Sequence, residues 1–332
     1  MRRCILWLLV LLAFIVVGGR RSLADEGSET SRFVVAGYLP EYRLTDVPAN
    51  RSLSRGTLSN GTPAHGESAH GTLAVTDLIF FGLRVPKDGQ SIGGSLDTTQ
   101  LQRLQSLPRR KDARLLVCVG GWNRSDGFAE VAKDKASRQK FVSELFQFCD
   151  THGFTGVDYD WEHPQGTAEI EAYANLIVQT RERFHRRGWI VTVAQAPWQD
   201  LGTDVYGAVD RVHLMAYDHD FPQATFDKAL ADVDRLIGWE CPAEKITLGI
   251  PFYGRNADRV ARTYAELIQS SETVAEDDLR DGFALNDRET VIRKVRLAKR
   301  RGLAGVMVWE LGQDANDPGQ SLMSAIVEEA AK

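Results

Sequence analysis

Cysteine is scarce in this chain, with four in 332 residues. Cys4 falls in a leading apolar segment, leaving Cys118, Cys149 and Cys241, an odd number at wide spacings that defines no disulfide framework. Cys118 lies in an apolar stretch and reads as a small buried residue. No cysteine has a partner at metal-ligand spacing and the histidines are scattered, so neither a zinc site nor any other metal or cofactor is expected. Basic excess is missing too. The formal net charge is −5, and the basic run Arg293 to Arg301 reads as a solvated helix face, so nucleic acid is not an expected partner. No internal repeat, second domain or appended binding module is read from the sequence, and a monomer is the expectation.

One uninterrupted apolar run does occur, Cys4 to Val17, preceded by Arg2 and Arg3 and followed by the small-residue stretch Ser22-Leu23-Ala24. It is too short for a comfortable membrane span and has the layout of an export signal. The expected organisation is a signal peptide over 1–24, a linker over 25–31 and one large domain over 32–332. The protein is then secreted or periplasmic, with no membrane contact after cleavage; Arg20-Arg21 leaves an uncleaved anchor open.

Beyond Arg32 the chain alternates buried strands with amphipathic helices. Strands are predicted at Arg32–Tyr38, Val75–Leu83, Arg114–Val119, Phe154–Glu162, Trp189–Ala194, Asp210–Ala216, Lys245–Phe252 and Gly302–Trp309. Helices are predicted at Asp97–Leu107, Ser137–His152, Thr167–Arg187, Thr225–Ile237, Arg288–Arg301 and Gly319–Ala330. Asn50–Gly71, with His65, His70 and the sequon at Asn60, reads as a long loop; a second sequon lies at Asn123. Gly254–Asp287 reads as a small insertion with a helical turn at Tyr264–Ile268 and an acidic patch at Glu276–Asp278. Eight such strands predict an α/β fold of the (β/α)8 barrel type, with functional groups at the C-terminal strand ends.

The chemistry concentrates in Phe154-Thr155-Gly156-Val157-Asp158-Tyr159-Asp160-Trp161-Glu162. Strand alternation puts Asp158, Asp160 and Glu162 on one face, successive members roughly 6 to 7 Å apart. Three adjacent carboxylates repel and are costly to desolvate, so a proton is shared and one acid stays protonated near neutral pH. A protonated carboxylic acid is what a glycosidase uses on a leaving oxygen. Two other readings compete. Ligation of a hard cation lacks the Gly-containing calcium loop. A solvated edge strand conflicts with the bulky Val157, Tyr159 and Trp161 on the other face. Spacing alone also leaves Asp160 free to act as a nucleophile.

Gly156-Val157-Asp158-Tyr159-Asp160-Trp161-Glu162 resembles the signature strand of the family 18 glycoside hydrolases, the chitinases and their relatives. Cys118-Val119-Gly120-Gly121-Trp122, Met215-Ala216-Tyr217-Asp218, Leu248–Arg255 and Gly305–Glu310 resemble further motifs of that family in the same order. Two features depart from the pattern: Thr155 stands where the first Asp of the signature is usual, and the insertion after the seventh strand is short. The resemblance implies a (β/α)8 barrel and a retaining, substrate-assisted reaction on an N-acetylglucosamine-containing oligo- or polysaccharide. It implies Glu162 as acid, Asp160 as orienter of the acetamido N–H, Asp158 as its proton-sharing support and Tyr217 as donor to the acetamido carbonyl. Asp218 and Trp309 are implied as sugar-positioning residues. Tyr38, Trp122, Gln195, Trp198, Tyr253 and Arg255 are candidate cleft residues; Arg255 could instead pair with Asp218 or Glu310, and Glu310 reads as structural. Chitin or chitooligosaccharides lead as substrate, with peptidoglycan or the N-glycan core as alternatives in the same class. A non-catalytic lectin on the same barrel is the alternative from another class, and the presence of Glu162 argues against it.

Overall fold

A computed structural model describes residues 32–46, 74–89, 92, 96–107, 109–270 and 279–332. The barrel unit runs from Phe33 to Lys332. The expected signal peptide and linker, the loop around His65 and His70, and the acidic patch at Glu276–Asp278 lie outside the described residues.

Eight parallel strands close into a barrel: β1 (Val34–Pro40), β2 (Asp77–Leu83), β3 (Arg114–Gly120), β4 (Gly156–Asp160), β5 (Ile190–Gln195), β6 (Arg211–Leu214), β7 (Ile246–Pro251) and β8 (Gly305–Trp309). Each pairs with its sequence neighbour, and β8 closes on β1. Around them lie α1 (Thr98–Ser106), α2 (Phe128–Ala132), α3 (Lys135–His152), α4 (Gly166–Phe184), α5 (Thr203–Ala208), α6 (Phe226–Gly238), α7 (Tyr264–Ser270), α8 (Arg288–Arg300) and α9 (Leu322–Ala330). Side chains cap several of them: Asp97, Asp134, Thr225, Asp287 and Ser321 each accept from a backbone N–H in the first turn.

Strand alternation divides the core in two. Val35, Leu39, Val117, Val157, Tyr159 and Val193 face outward into the layer shared with the helices. Val34, Ala36, Tyr38, Ile79, Phe81, Leu116, Cys118 and Met307 fill the barrel interior. The interior is therefore packed, and a site can form only at its rim.

The sequence pattern located all eight strands and differs in detail. β1 continues past Tyr38 through Pro40, which terminates the strand where its missing N–H costs least. The short helices α2 and α5 escape a periodicity reading at five and six residues. The insertion after β7 is an antiparallel sheet of four short segments, Leu279–Arg280, Phe283–Ala284, Tyr253–Arg255 and Ala261–Thr263 in spatial order, together with α7. Strands of two or three residues are too short to alternate legibly.

Candidate active site

β4 brings the acids to the C-terminal rim. Its outward residues are covered: the Trp161 ring stacks on Phe128 at 5.2 Å, and Tyr173 meets both Trp161 and Tyr159 edge-on. Asp158 and Asp160 consequently point inward and are buried. Asp158 lies across the ladder from Cys118 on β3 and Thr192 on β5. Thr192 donates its hydroxyl to Oδ1 at 2.6 Å, Tyr38 donates its phenol to Oδ2 at 2.6 Å, and the Cys118 thiol donates as well. Burial nevertheless outweighs these donors and pushes the Asp158 carboxyl up to about 6.

Asp160 is the most constrained of the three. Burial, then Glu162, then Asp158 hold its carboxyl well above the usual range. Its Oδ1 is buried and has no hydrogen-bond partner among the described residues. The Gly120-Gly121 pair makes room for this residue. Both have φ near +100°, a Cβ on Gly120 would stand 2.2 Å from the Asp160 carbonyl oxygen, and one on Gly121 would strike the Phe81 ring. Ser125 locks the same loop by donating to the Asp160 carbonyl at 2.9 Å and accepting from the Glu162 backbone N–H at 3.1 Å.

Glu162 reaches the rim. Burial first, and the Asp218 charge second, raise its carboxyl to about 7, against a lowering by the Trp122 backbone N–H. About half of it therefore keeps its proton at neutral pH while still open to solvent, with a side chain 15% exposed.

β6 and the segment after β7 supply the opposite wall. Tyr217 is buried against Tyr253, ring centroids 6.3 Å apart, and passes over Gly249, whose Cβ would come within 2.9 Å of its ring. Among the described residues its hydroxyl has only the weak acceptor Met307 Sδ, at 3.9 Å. Asp218 has φ +59° and is held by three donors: Tyr253 Oη at 2.7 Å and Arg255 Nε at 2.5 Å to Oδ1, and Arg255 Nη2 at 3.1 Å to Oδ2. Of the two partners weighed for Arg255, the structure selects Asp218. Trp309, at the end of β8, packs edge-on against Phe81 at 5.0 Å and at a tilt against Tyr38 at 5.5 Å, and stays half-buried. Glu310, itself buried, is turned away to pair with Arg43, Tyr42 and Gln313.

The structure thus groups Asp158, Asp160, Glu162, Tyr217, Asp218, Tyr253, Arg255 and Trp309 at one end of the barrel, with Trp122 exposed on the loop after β3. Two candidates fall elsewhere. Gln195 faces outward and donates to the Gln199 carbonyl at 2.6 Å and to Tyr206 Oη at 3.1 Å, because odd-numbered residues of β5 point to the helices. Tyr38 is only 1% exposed and lies beneath the site as a partner of Asp158, not along its surface.

Thr155, the departure in the signature, sits at the opposite end of β4. It bonds to the Leu115 backbone, about 10 Å along the strand from Asp158.

Thr192 and His213 escaped the sequence reading. His213 on β6 is fully buried, with Nδ1 2.6 Å from Thr247 Oγ1 and Nε2 3.8 Å from Asp158 Oδ1. Burial and the Arg211 charge push it down to about 3, so it is neutral. The signal for both was a polar residue inside an otherwise apolar strand, on the inward parity.

The chain matches the model of the Glycosyl hydrolases family 18 over residues 69–314. It is 24% identical over 318 residues to chitinase A1 of Niallia circulans, covering 71% of this chain and 45% of that protein. It is 26% identical over 266 residues to chitinase 1 of Aphanocladium album, covering 61% of this chain and 62% of that protein. The chain therefore spans only about half the length of these relatives. Among solved structures, the GH18 chitinase from the chitin utilization locus of Flavobacterium johnsoniae superposes with a TM-score of 0.72 at 22% identity, over 90% of this chain and 94% of that one. A mutant class V chitinase from Nicotiana tobaccum in complex with NAG4 gives 0.73 at 18% identity, over 91% and 99%. These last two likenesses concern the fold; the match over 69–314 places the chain in glycosyl hydrolases family 18.

Proposed function

We propose that this protein is a secreted retaining glycosidase that hydrolyses β-1,4-linked N-acetylglucosamine chains, chitin or chitooligosaccharides, by substrate-assisted catalysis. The observation that carries the reading is the buried, unpartnered Oδ1 of Asp160, set between Asp158 and Glu162. A buried acceptor without a donor is costly, and the acetamido N–H of an N-acetylated sugar supplies the missing donor. The Tyr217 hydroxyl, with only a sulfur to bond among the described residues, is available to the acetamido carbonyl oxygen.

In this reading the sugar lies over Trp309. Glu162 delivers its proton to the glycosidic oxygen as the C1–O bond breaks, and the leaving sugar departs as an alcohol. The acetamido carbonyl oxygen forms the new bond to C1. Asp160 accepts from the acetamido N–H and offsets the positive charge of the cyclised intermediate, while Asp158 takes up the shared proton. Glu162, now ionised, then removes a proton from the water that opens the intermediate from the same face, so configuration is retained. Asp218, fixed by Tyr253 and Arg255, positions the sugar and keeps Glu162 protonated. The relatives named as chitinases and the family match support this substrate class. Export rests on the N-terminal sequence pattern.

The deciding experiment offers the protein chitotetraose, chitin, peptidoglycan and cellotetraose side by side and follows the first-formed anomer by NMR. The expected result is cleavage of the chitin-type substrates with β-anomer product and inhibition by a thiazoline analogue of the cyclised intermediate. Cleavage of cellotetraose at a comparable rate, or a sugar covalently attached to Asp160, would sink the substrate-assisted reading. Binding of chitotetraose without turnover would point to a lectin.

A further inference from the structure

Six large apolar side chains are exposed among the described residues: Tyr42, Trp122, Val178, Trp198, Phe221 and Val260. Exposed apolar residues scattered singly need no explanation. Here, however, the four aromatic ones all follow the C-terminal end of a barrel strand, after β1, β3, β5 and β6. Trp198, 62% exposed, is the one whose support is built most completely.

The loop carrying Trp198 is tied down on every side. Gln199 Nε2 donates to the Pro164 carbonyl at 2.7 Å, joining the β5 loop to the β4 loop. Gln195, turned out of the site itself, holds the Gln199 carbonyl at 2.6 Å. Arg235 on α6 donates to the Pro197 carbonyl at 2.9 Å. The indole meets the His163 ring edge-on at 4.7 Å, and His163 Nε2 lies 3.6 Å from Glu162 Oε2. His163 is held below its ordinary pKa by burial and is neutral, so it presents a polar edge without a charge. The acid, the imidazole and the indole therefore form a row leading outward from the reacting centre, ending in a rigid, open aromatic face.

We infer that Trp198 and His163 form a binding subsite for a pyranose ring on the leaving-group side of the cleaved bond, with Trp198 as the stacking face. This rests on the glycosidase reading above. The oxygen that Glu162 protonates departs with the next sugar, and His163 Nε2, 3.6 Å from Glu162 Oε2, stands beside that oxygen. The axial C–H groups on one face of a β-linked N-acetylglucosamine ring are apolar and suit an indole face, and its hydroxyls suit the His163 edge. Pre-organisation by the three loop anchors lowers the ordering cost of binding.

The test compares full-length protein with Trp198→Ala and Trp198→Phe. Chitohexaose affinity is measured by titration calorimetry in a Glu162→Gln background. In the active protein, kcat/KM for chitohexaose is compared with that for 4-nitrophenyl β-chitobioside, whose leaving group carries no sugar. Trp198→Ala should weaken chitohexaose binding about tenfold, as for losing roughly 50 to 60 Å² of apolar contact. It should lower the hexaose-to-aryl kcat/KM ratio by a similar factor and redistribute the early chitohexaose products; Trp198→Phe should recover most of each effect. Unchanged chitohexaose affinity, or an equal loss on both substrates, overturns the inference, as does failure of the parent to bind chitohexaose at all. Should the parent bind chitohexaose yet cleave neither substrate, the glycosidase reading fails and the affinity comparison still decides the role of Trp198.

Discussion

Thr192 on β5 donates its hydroxyl to Oδ1 of Asp158, its direct neighbour across the ladder on β4, at 2.6 Å. The bond favours the ionised carboxylate, which burial opposes. Because the folded pKa is about 6, Asp158 is protonated in the folded protein at about pH 4.5 and ionised at about pH 8. Thr192→Val should therefore cost about 1 to 2 kcal/mol more stability at about pH 8 than at about pH 4.5. Urea unfolding at the two pH values checks this; an equal cost at both would mean that the bond does not discriminate between the protonation states.

Glu162→Gln should show the opposite sign. The Glu162 carboxyl is raised from 4.5 to about 7 in the folded protein. Stability is fully present below the unfolded value and is lost as pH rises through the folded one. Glutamine has no such proton to lose. At about pH 8 the variant should be more stable than the parent by about 3 kcal/mol, with the gain vanishing near pH 4. Turnover should fall at least about a hundredfold while oligosaccharide binding persists. Thermal unfolding beside binding and rate measurements tests both halves, and a variant less stable at alkaline pH would refute the first.

Asp218→Asn removes the charge that helps Glu162 retain its proton. The alkaline limb of kcat/KM should move to lower pH, because Glu162 then ionises earlier. Arg255→Lys should weaken catalysis without that shift, since it disturbs the two-pronged grip on Asp218 but leaves its charge in place. pH–rate profiles of the two variants separate these effects; coincident alkaline limbs for Asp218→Asn and parent would contradict the electrostatic account.

Thr155→Asp restores the residue usual in the family signature. At the far end of β4, against the Leu115 backbone, it should change kcat/KM by less than about twofold and stability by about 1 kcal/mol or less. A large gain in activity would show that the departure matters to the chemistry.

Among the described residues, the insertion after β7 holds strands of two or three residues and one short helix. A low wall buries less of each sugar and leaves less remote binding energy for catalysis. Soluble oligomers should be cleaved faster than crystalline chitin, with little processivity, measured as the ratio of dimer to other early products. Sustained processive degradation of crystalline chitin would contradict this.

The acid strand was legible because alternation fixes both faces of β4 at once: Val157, Tyr159 and Trp161 had to be covered, so Asp158 and Asp160 had to face the axis. The eight-strand count followed from apolar runs in the same way. Asp158's partners were not legible, since Cys118, Thr192 and Tyr38 meet only through interstrand register, and register is a tertiary property. Gln195 misled for a related reason. It ends β5 where a site residue would, but one residue out of phase with Thr192, so its amide braces the loop that bears Trp198. The insertion sheet was hidden by strand length.

Cys118, Cys149 and Cys241 are all buried free thiols. They sit on β3, at the end of α3 and just after α6, and so sample three separate regions of the barrel. The barrel's integrity therefore needs no oxidative step, and a reducing agent should leave it intact. The same thiols form an internal clock for opening. Under native conditions a thiol-reactive dye can reach them only when the surrounding structure loosens, so their labelling rates report the free energy of opening at each place. One common rate would mark the barrel as a single cooperative unit; three distinct rates would rank its sectors by stability without the introduction of any probe.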